Sequence, residues 1–231
     1  MTDIEYAKSQ SLLLQSKYRG LKITEENDAN IHLCGIVEVF RTACNFTVHK
    51  NYDVEVVIPE NPSVLPYIID KGHSIDPSYP HRYVDGRLCL ETNTAIQLRF
   101  IDGFNILEWM DEFVEPYYFS YEYYTRYGCF PFGERPHGFE GLLQTYQDHF
   151  SEADPVNAWK LMIFAAEGIY RGHLLCPCGS GKKLRGCHGK YIFPFMEDKA
   201  RRAILRRDIF QIRKEVEDNQ HISTNNSSRK Y

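Results

Sequence analysis

At 231 residues, 43% hydrophobic and 14% aromatic, the chain has material for one medium-sized core and an appendage, which excludes the disordered and fibrous classes. A formal charge of -4, from 27 basic against 31 acidic residues, gives no electrostatic reason to expect a nucleic-acid partner. Residues 1 to 20 mix Asp3, Glu5 and polar side chains among the apolar ones, which is neither a secretory leader nor a membrane span, so the expected setting is the cytoplasm, without a membrane partner. Seven cysteines are expected to stay thiols there, and metal binding or nucleophilic chemistry becomes their expected use.

In chain order, residues 2 to 19 predict an amphipathic helix opened by a Thr2 to Glu5 capping box, with Ile4, Ala7, Leu12 and Leu14 at helical spacing and Gly20 as its stop. Residues 31 to 40 alternate through Ile31, Leu33, Gly35, Val37 and Val39 as a half-buried strand, and residues 46 to 48 and 52 to 58 give two more strand-like runs of an antiparallel meander. Pro59, Pro62 and Pro66 interrupt the pattern, and residues 68 to 94 read as a long irregular segment of the kind that carries function. Residues 104 to 119 restore a helical period. Residues 115 to 141 are crowded with aromatics, whose commoner use is packing over a core. Further helices are expected over 153 to 171 and 196 to 217. On the second, Arg201, Arg202, Arg206 and Arg207 are partly balanced by Glu197, Asp198, Asp208, Glu215 and Glu217 and read as a solvated face. The tail from 219 to 231 reads as disordered. Cys34 and Cys44, in or beside strands, read as small buried apolar residues.

Two constellations carry chemistry. Cys176-Pro-Cys178-Gly-Ser-Gly-Lys-Lys-Leu-Arg-Gly-Cys187-His188 puts three thiols and an imidazole within thirteen residues, separated by glycines that permit tight turns. Such a set suits tetrahedral zinc, whose structural sites are closed groups of Cys and His. The spacing C-x-C-x8-C-H resembles the SEC-C motif found on many otherwise unrelated bacterial proteins. Gly179-Ser-Gly181-Lys182 only superficially evokes a phosphate-binding loop, because Cys176 stands where that motif needs a glycine and Lys183 where it needs Ser or Thr.

The second constellation is Tyr79-Pro80-His81-Arg82-Tyr83-Val84-Asp85-Gly86-Arg87-Leu88-Cys89-Leu90. In extended chain Leu88 and Leu90 share one face and Cys89 takes the other, so the thiol lies beside a core rather than in it. Gly86-x-Leu88-Cys89-Leu90 after a proline-containing segment resembles the active site of ubiquitin-conjugating enzymes, with Tyr79-Pro80-His81 in place of their His-Pro-Asn and His81 eight residues before Cys89. The glycine and aromatic pattern of residues 115 to 138 resembles the bacterial members encoded beside cyclic-nucleotide synthases in antiphage, CBASS-type operons.

The resemblance covers residues 1 to about 118 and implies an α+β, ubiquitin-conjugating-enzyme-like fold; with the patterning above, the expected division is that domain over 1 to 150, a helix and zinc module over 151 to 195, a C-terminal helix over 196 to 218, and the tail over 219 to 231. It implies Cys89 as thioester-forming nucleophile, His81 as oxyanion donor or as a support of the loop, and Glu91 near an incoming lysine. The implied partners are the C-terminus of a donor protein, a cGAS-like nucleotidyltransferase, and an acceptor lysine or other amine. The alternative is a non-catalytic binding or zinc adaptor module.

Overall fold

The computed structural model describes residues 3–227, with side chains over residues 3–219. The chain is α+β and divides into two compact units, residues 1–134 and 135–231. Among the described residues no helix is long and apolar enough to cross a membrane.

The first unit opens with α1 (Asp3–Lys17), followed by β1 (Lys22–Glu26), β2 (Asn30–Ala43), β3 (Phe46–Pro59) and β4 (Tyr67–Asp70), an antiparallel sheet in sequence order. The buried stripe of α1 is Ala7, Ser11 and Leu14, while the expected Ile4 and Leu12 are exposed. Ser11 tolerates burial because its hydroxyl donates to the Lys8 carbonyl at 2.8 Å. Thr2 of the expected capping box lies outside the described residues.

The runs 46 to 48 and 52 to 58 are one strand, since His49, Lys50 and Asn51 each face a β2 partner, Phe40, Val39 and Glu38. Cys44 and Asn45 form the two-residue turn between β2 and β3, at φ 49° and 57°, the left-handed pair that matches the twist of a tight hairpin. Cys44 is therefore exposed rather than buried, and Cys34 is only half-buried. Every residue of β1 is exposed, so it has no alternation to read, and β4 alternates in burial but its two buried positions are Ile68 and Asp70, which a hydrophobic pattern does not pair.

Ile31, Leu33, Val37 and Val39 of β2 and Val54, Val56 and Ile58 of β3 face the core. The other wall comes from α2 (Asn93–Arg99), α3 (Ile106–Trp109), a π-helical turn (Met110–Val114) and α4 (Glu115–Tyr127). The Glu115 amide bonds to the Met110 carbonyl, five residues back, so the turn is one residue wider than usual just before Pro116. Proline lacks an amide and crowds the carbonyl four residues behind it, and the wider turn accommodates both demands. Most of the aromatic segment is helical and does pack: Tyr117, Tyr118, Phe119 and Tyr121 are buried, and Tyr118 stacks on Tyr52 with centroids 3.9 Å apart.

The second unit comprises α5 (Gly138–Phe150), α6 (Pro155–Glu167), α7 (Gly189–Glu197) and α8 (Lys199–Ser227), around Leu142, Tyr146, Phe150, Leu161, Phe195 and Leu205. Sequence patterning set the boundary at 150, at the end of α5, whereas α5 packs on α6, α7 and α8. The helix expected over 196 to 217 is two, separated at Asp198, whose carboxylate accepts from the Arg201 amide at 2.7 Å and starts α8. α8 continues to Ser227 through part of the expected tail, because extending a helix already nucleated costs little per residue; residues 228–231 lie outside the described residues. The arginines of α8 are not simply solvated. Arg206 donates to the Ala166 carbonyl at 3.1 and 2.9 Å, Arg202 reaches the Phe195 and Met196 carbonyls, and Arg207 pairs with the fully buried Asp208 at 2.7 Å. Arg206 and Arg202 close the C-terminal ends of α6 and α7, where carbonyls lack partners, while Arg206 and Arg207 keep the exposure expected of them.

Gly35 has φ +141°, and a Cβ there would be driven into the carbonyl oxygen of Gly20. Gly35→Ala should lower stability by at least about 2 kcal/mol through combined strain and clash, read as a lower midpoint in urea unfolding of the whole chain.

Candidate functional site

Between β4 and α2 the chain runs about twenty residues with almost no regular structure, yet each bend has an anchor. Asp70, 2% exposed, accepts from the Ser74 and Ile75 amides at 3.0 and 2.9 Å and fixes the exit from β4. The chain then returns to β4: the Asp70 amide donates to the Gly86 carbonyl and the Leu88 amide to the Ile68 carbonyl, at 3.1 and 3.0 Å. A tight reversal lies between those contacts, with the Gly86 amide on the Tyr83 carbonyl at 3.0 Å and the Tyr83 amide on the Arg87 carbonyl at 2.9 Å. Gly86 makes the reversal possible with φ +86°.

This arrangement sets Cys89. Leu88 is buried and Leu90 packs against the core, while the Cys89 side chain faces a cleft of about 300 Å³ that Glu91 also lines. The Cys89 amide donates to the His81 carbonyl at 2.8 Å, and the Tyr117 hydroxyl of α4 donates to the same oxygen at 3.1 Å. His81 thus holds the loop through its main chain. A ring nitrogen of His81 also lies within 4.8 Å of Cys89 Sγ, and its ring packs edge-on against Phe130. Glu91 accepts the Thr92 amide at 2.8 Å, and Thr92 caps α2 through its own hydroxyl oxygen, which accepts from Ala95 at 3.2 Å.

Sequence reading did not single out Tyr83 or Arg87. The Tyr83 hydroxyl donates to Cys89 Sγ at 3.5 Å, and that bond, with partial burial, pushes the phenol up to about 12. The Arg87 guanidinium lies 5.5 Å from the centroids of both Tyr67 and Tyr83, and its Nε meets Asp85 at 2.7 Å. The signal for this pairing was the Asp85-Gly86 dipeptide, which marks a tight turn and brings residues 83 and 87 together.

In the second unit Cys176, Cys178, Cys187 and His188 converge, with their ligand atoms all within 4.8 Å of one another. The Cys176 amide donates to the Lys182 carbonyl at 2.9 Å and the Gly179 amide to the Cys176 carbonyl at 3.2 Å. Gly179 and Gly181, at φ +80° and +71°, let the chain fold back between the two halves. The 3₁₀ turn Leu184–Gly186 delivers Cys187, and His188 caps α7. Cys178 Sγ lies 3.6 Å from Cys187 Sγ, and His188 Nδ1 lies 3.4 and 3.3 Å from the sulfurs of Cys176 and Cys187, spacings of the corners of a small tetrahedron. The group could hold a metal ion. Burial pushes the Cys176 thiol up to about 11. At Cys178 burial also opposes ionisation, but hydrogen bonding with Ser180 and the neighbouring thiols outweighs it and draws the thiol down to about 6.

Glu152 is the member of this site that spacing could not reveal, being far from the cluster in sequence. Its Oε2 lies 3.5 Å from His188 Nε2, with both side chains largely buried. A carboxylate there selects the tautomer that leaves Nδ1 unprotonated toward the sulfurs. Glu152→Gln should weaken metal affinity about 10- to 100-fold while leaving one ion bound per chain at saturation, measured by competition against a chromogenic chelator. No protein-family model, curated protein or solved structure matches the chain.

Proposed function

We propose that the chain is a cysteine acyl transferase of the ubiquitin-conjugating type carrying a structural zinc module. The observation that carries the reading is Cys89 Sγ in an open cleft, with a hydroxyl donor at 3.5 Å, an imidazole nitrogen within 4.8 Å and a carboxylate on the same cleft. The order helix, four-stranded antiparallel meander, irregular cysteine loop and helices supports it.

In the first step the Cys89 thiolate attacks the C-terminal carbonyl carbon of a donor protein presented as a thioester on a partner. A carbon–sulfur bond forms at Cys89, and the partner's bond to that carbon breaks with its electron pair leaving on sulfur. In the second step an amine attacks the same carbon, a carbon–nitrogen bond forms, the Cys89 bond breaks, and the amine proton passes to Glu91 or water. A thiolate suits both steps because it is a good nucleophile and a good leaving group. Each attack passes through a tetrahedral oxyanion, and His81 is the candidate donor to it. The resemblance supplies the partners: a cGAS-like nucleotidyltransferase as donor and a lysine or other amine as acceptor, in antiphage defence within the cytoplasm.

For the second site the donor set and its spacing favour zinc. A tetrahedron with Zn–S bonds of about 2.3 Å and Zn–N of about 2.0 Å separates sulfurs by about 3.8 Å and sulfur from nitrogen by about 3.5 Å, close to the observed 3.6 and 3.3 to 3.4 Å. Four protein ligands leave no position for substrate, so bound zinc would supply cross-linking rather than catalysis.

Incubated with its loaded donor, the wild-type chain should form an adduct on a nonreducing gel that thiols remove, and Cys89→Ala should form none. An equal adduct with Cys89→Ala, or none with wild type, would sink the enzymatic reading and leave a binding module.

A further inference from the structure

Thioester chemistry at Cys89 needs a group that supports negative charge on sulfur twice, in the free thiolate and when sulfur leaves the acyl carbon. The polar groups around Sγ differ in their fitness for this. Glu91 is an acceptor and carries the Thr92 amide; Tyr117 gives its hydroxyl to the His81 carbonyl; Arg87 is held by Asp85 and by two tyrosine rings. His81 also brings a ring nitrogen within 4.8 Å of Sγ. The Tyr83 hydroxyl stands 3.5 Å from Sγ, and its ring is held against the Arg87 guanidinium.

We infer that Tyr83 is a catalytic residue of this site, its hydroxyl donating a hydrogen bond to Cys89 Sγ in the thiolate and again to the departing sulfur during aminolysis. The inference rests on the acyl-transfer reading for the second of those roles. No proton moves in this contact. The acyl carbon–sulfur bond breaks with its electron pair going to sulfur, the hydroxyl stabilises that charge, and the amine loses its proton elsewhere. A phenol pushed up to about 12 keeps its hydrogen through the neutral range, so the hydroxyl remains a donor there. Arg87 then has a positioning role. Stacked between Tyr67 and Tyr83, it holds the ring of a residue that is 51% exposed at a turn and would otherwise rotate freely. The exposure also means that the fold does not depend on the hydroxyl.

The test is the pH dependence of Cys89 alkylation by iodoacetamide in the full chain, followed at the Cys89 peptide by mass spectrometry, for wild type, Tyr83→Phe and Tyr83→Leu. Both variants keep an apolar side chain beside Arg87 and carry no hydrogen-bond donor. Their alkylation midpoints should rise by about half to one pH unit as the thiolate loses its donor. Preformed Cys89 thioester should also pass to free lysine several-fold more slowly in both. Midpoints that coincide with wild type would overturn the inference. Because alkylation needs no donor protein, the two ideas fail separately. Adduct formation with unmoved midpoints rejects the role of Tyr83 alone, whereas raised midpoints without any adduct keep the Tyr83–Cys89 contact and reject conjugation.

Discussion

The first unit depends on how a long stretch of chain without regular structure satisfies its own backbone. Some twenty residues between β4 and α2 cannot draw on a ladder of strand partners, and unpaired buried amides would each cost on the order of 1 to 3 kcal/mol. The carboxylate of Asp70 answers this at one end by taking two amides, and the carbonyl of His81 answers it in the middle by taking an amide and a hydroxyl. Both acceptors rest on rigid structure, Asp70 at the end of a strand and His81 against α4. The thiol of Cys89 is one residue beyond the point where the chain rejoins β4 through Leu88, so its position is set by the sheet and α4 together.

The aromatic segment makes that support stiff. Tyr117, Tyr118 and Tyr121 lie on one α4 face; Tyr118 stacks on Tyr52, Tyr121 accepts the Asp76 amide at 3.1 Å, and Tyr117 reaches the His81 carbonyl. One helix thereby packs on the sheet with its rings and braces the loop with its hydroxyls, the use to which tyrosine's apolar body and polar tip are suited. The wide turn ahead of Pro116 lets this helix continue from α3 without a break.

What was legible in the chain follows the range of each signal. The alternation of β2 and the helical period around residues 106 to 114 are local and could be read directly. The Cys and His cluster was legible because all four ligands lie within thirteen residues. β1 was not, since a fully exposed strand has no buried face to print a pattern, and α8 ran past its expected end because its terminal residues are polar without being helix breakers. The carbonyl contacts of Arg202 and Arg206 were hidden because their partners lie at the ends of other helices, which a sequence pattern does not display. Glu152 was hidden for a related reason: a carboxylate far along the chain meets His188 only once α5 has packed.

The reversal from Tyr83 to Arg87 separates what must stay from what is free to change. Its base holds Tyr83, Gly86 and Arg87 through backbone bonds, a left-handed glycine and stacked rings, while the side chain of Val84 at its tip is fully exposed. A substitution at the tip can therefore change the surface beside Cys89 without disturbing the geometry at its sulfur. Shape at the tip and geometry at the base are thus set by different residues within the five from Tyr83 to Arg87.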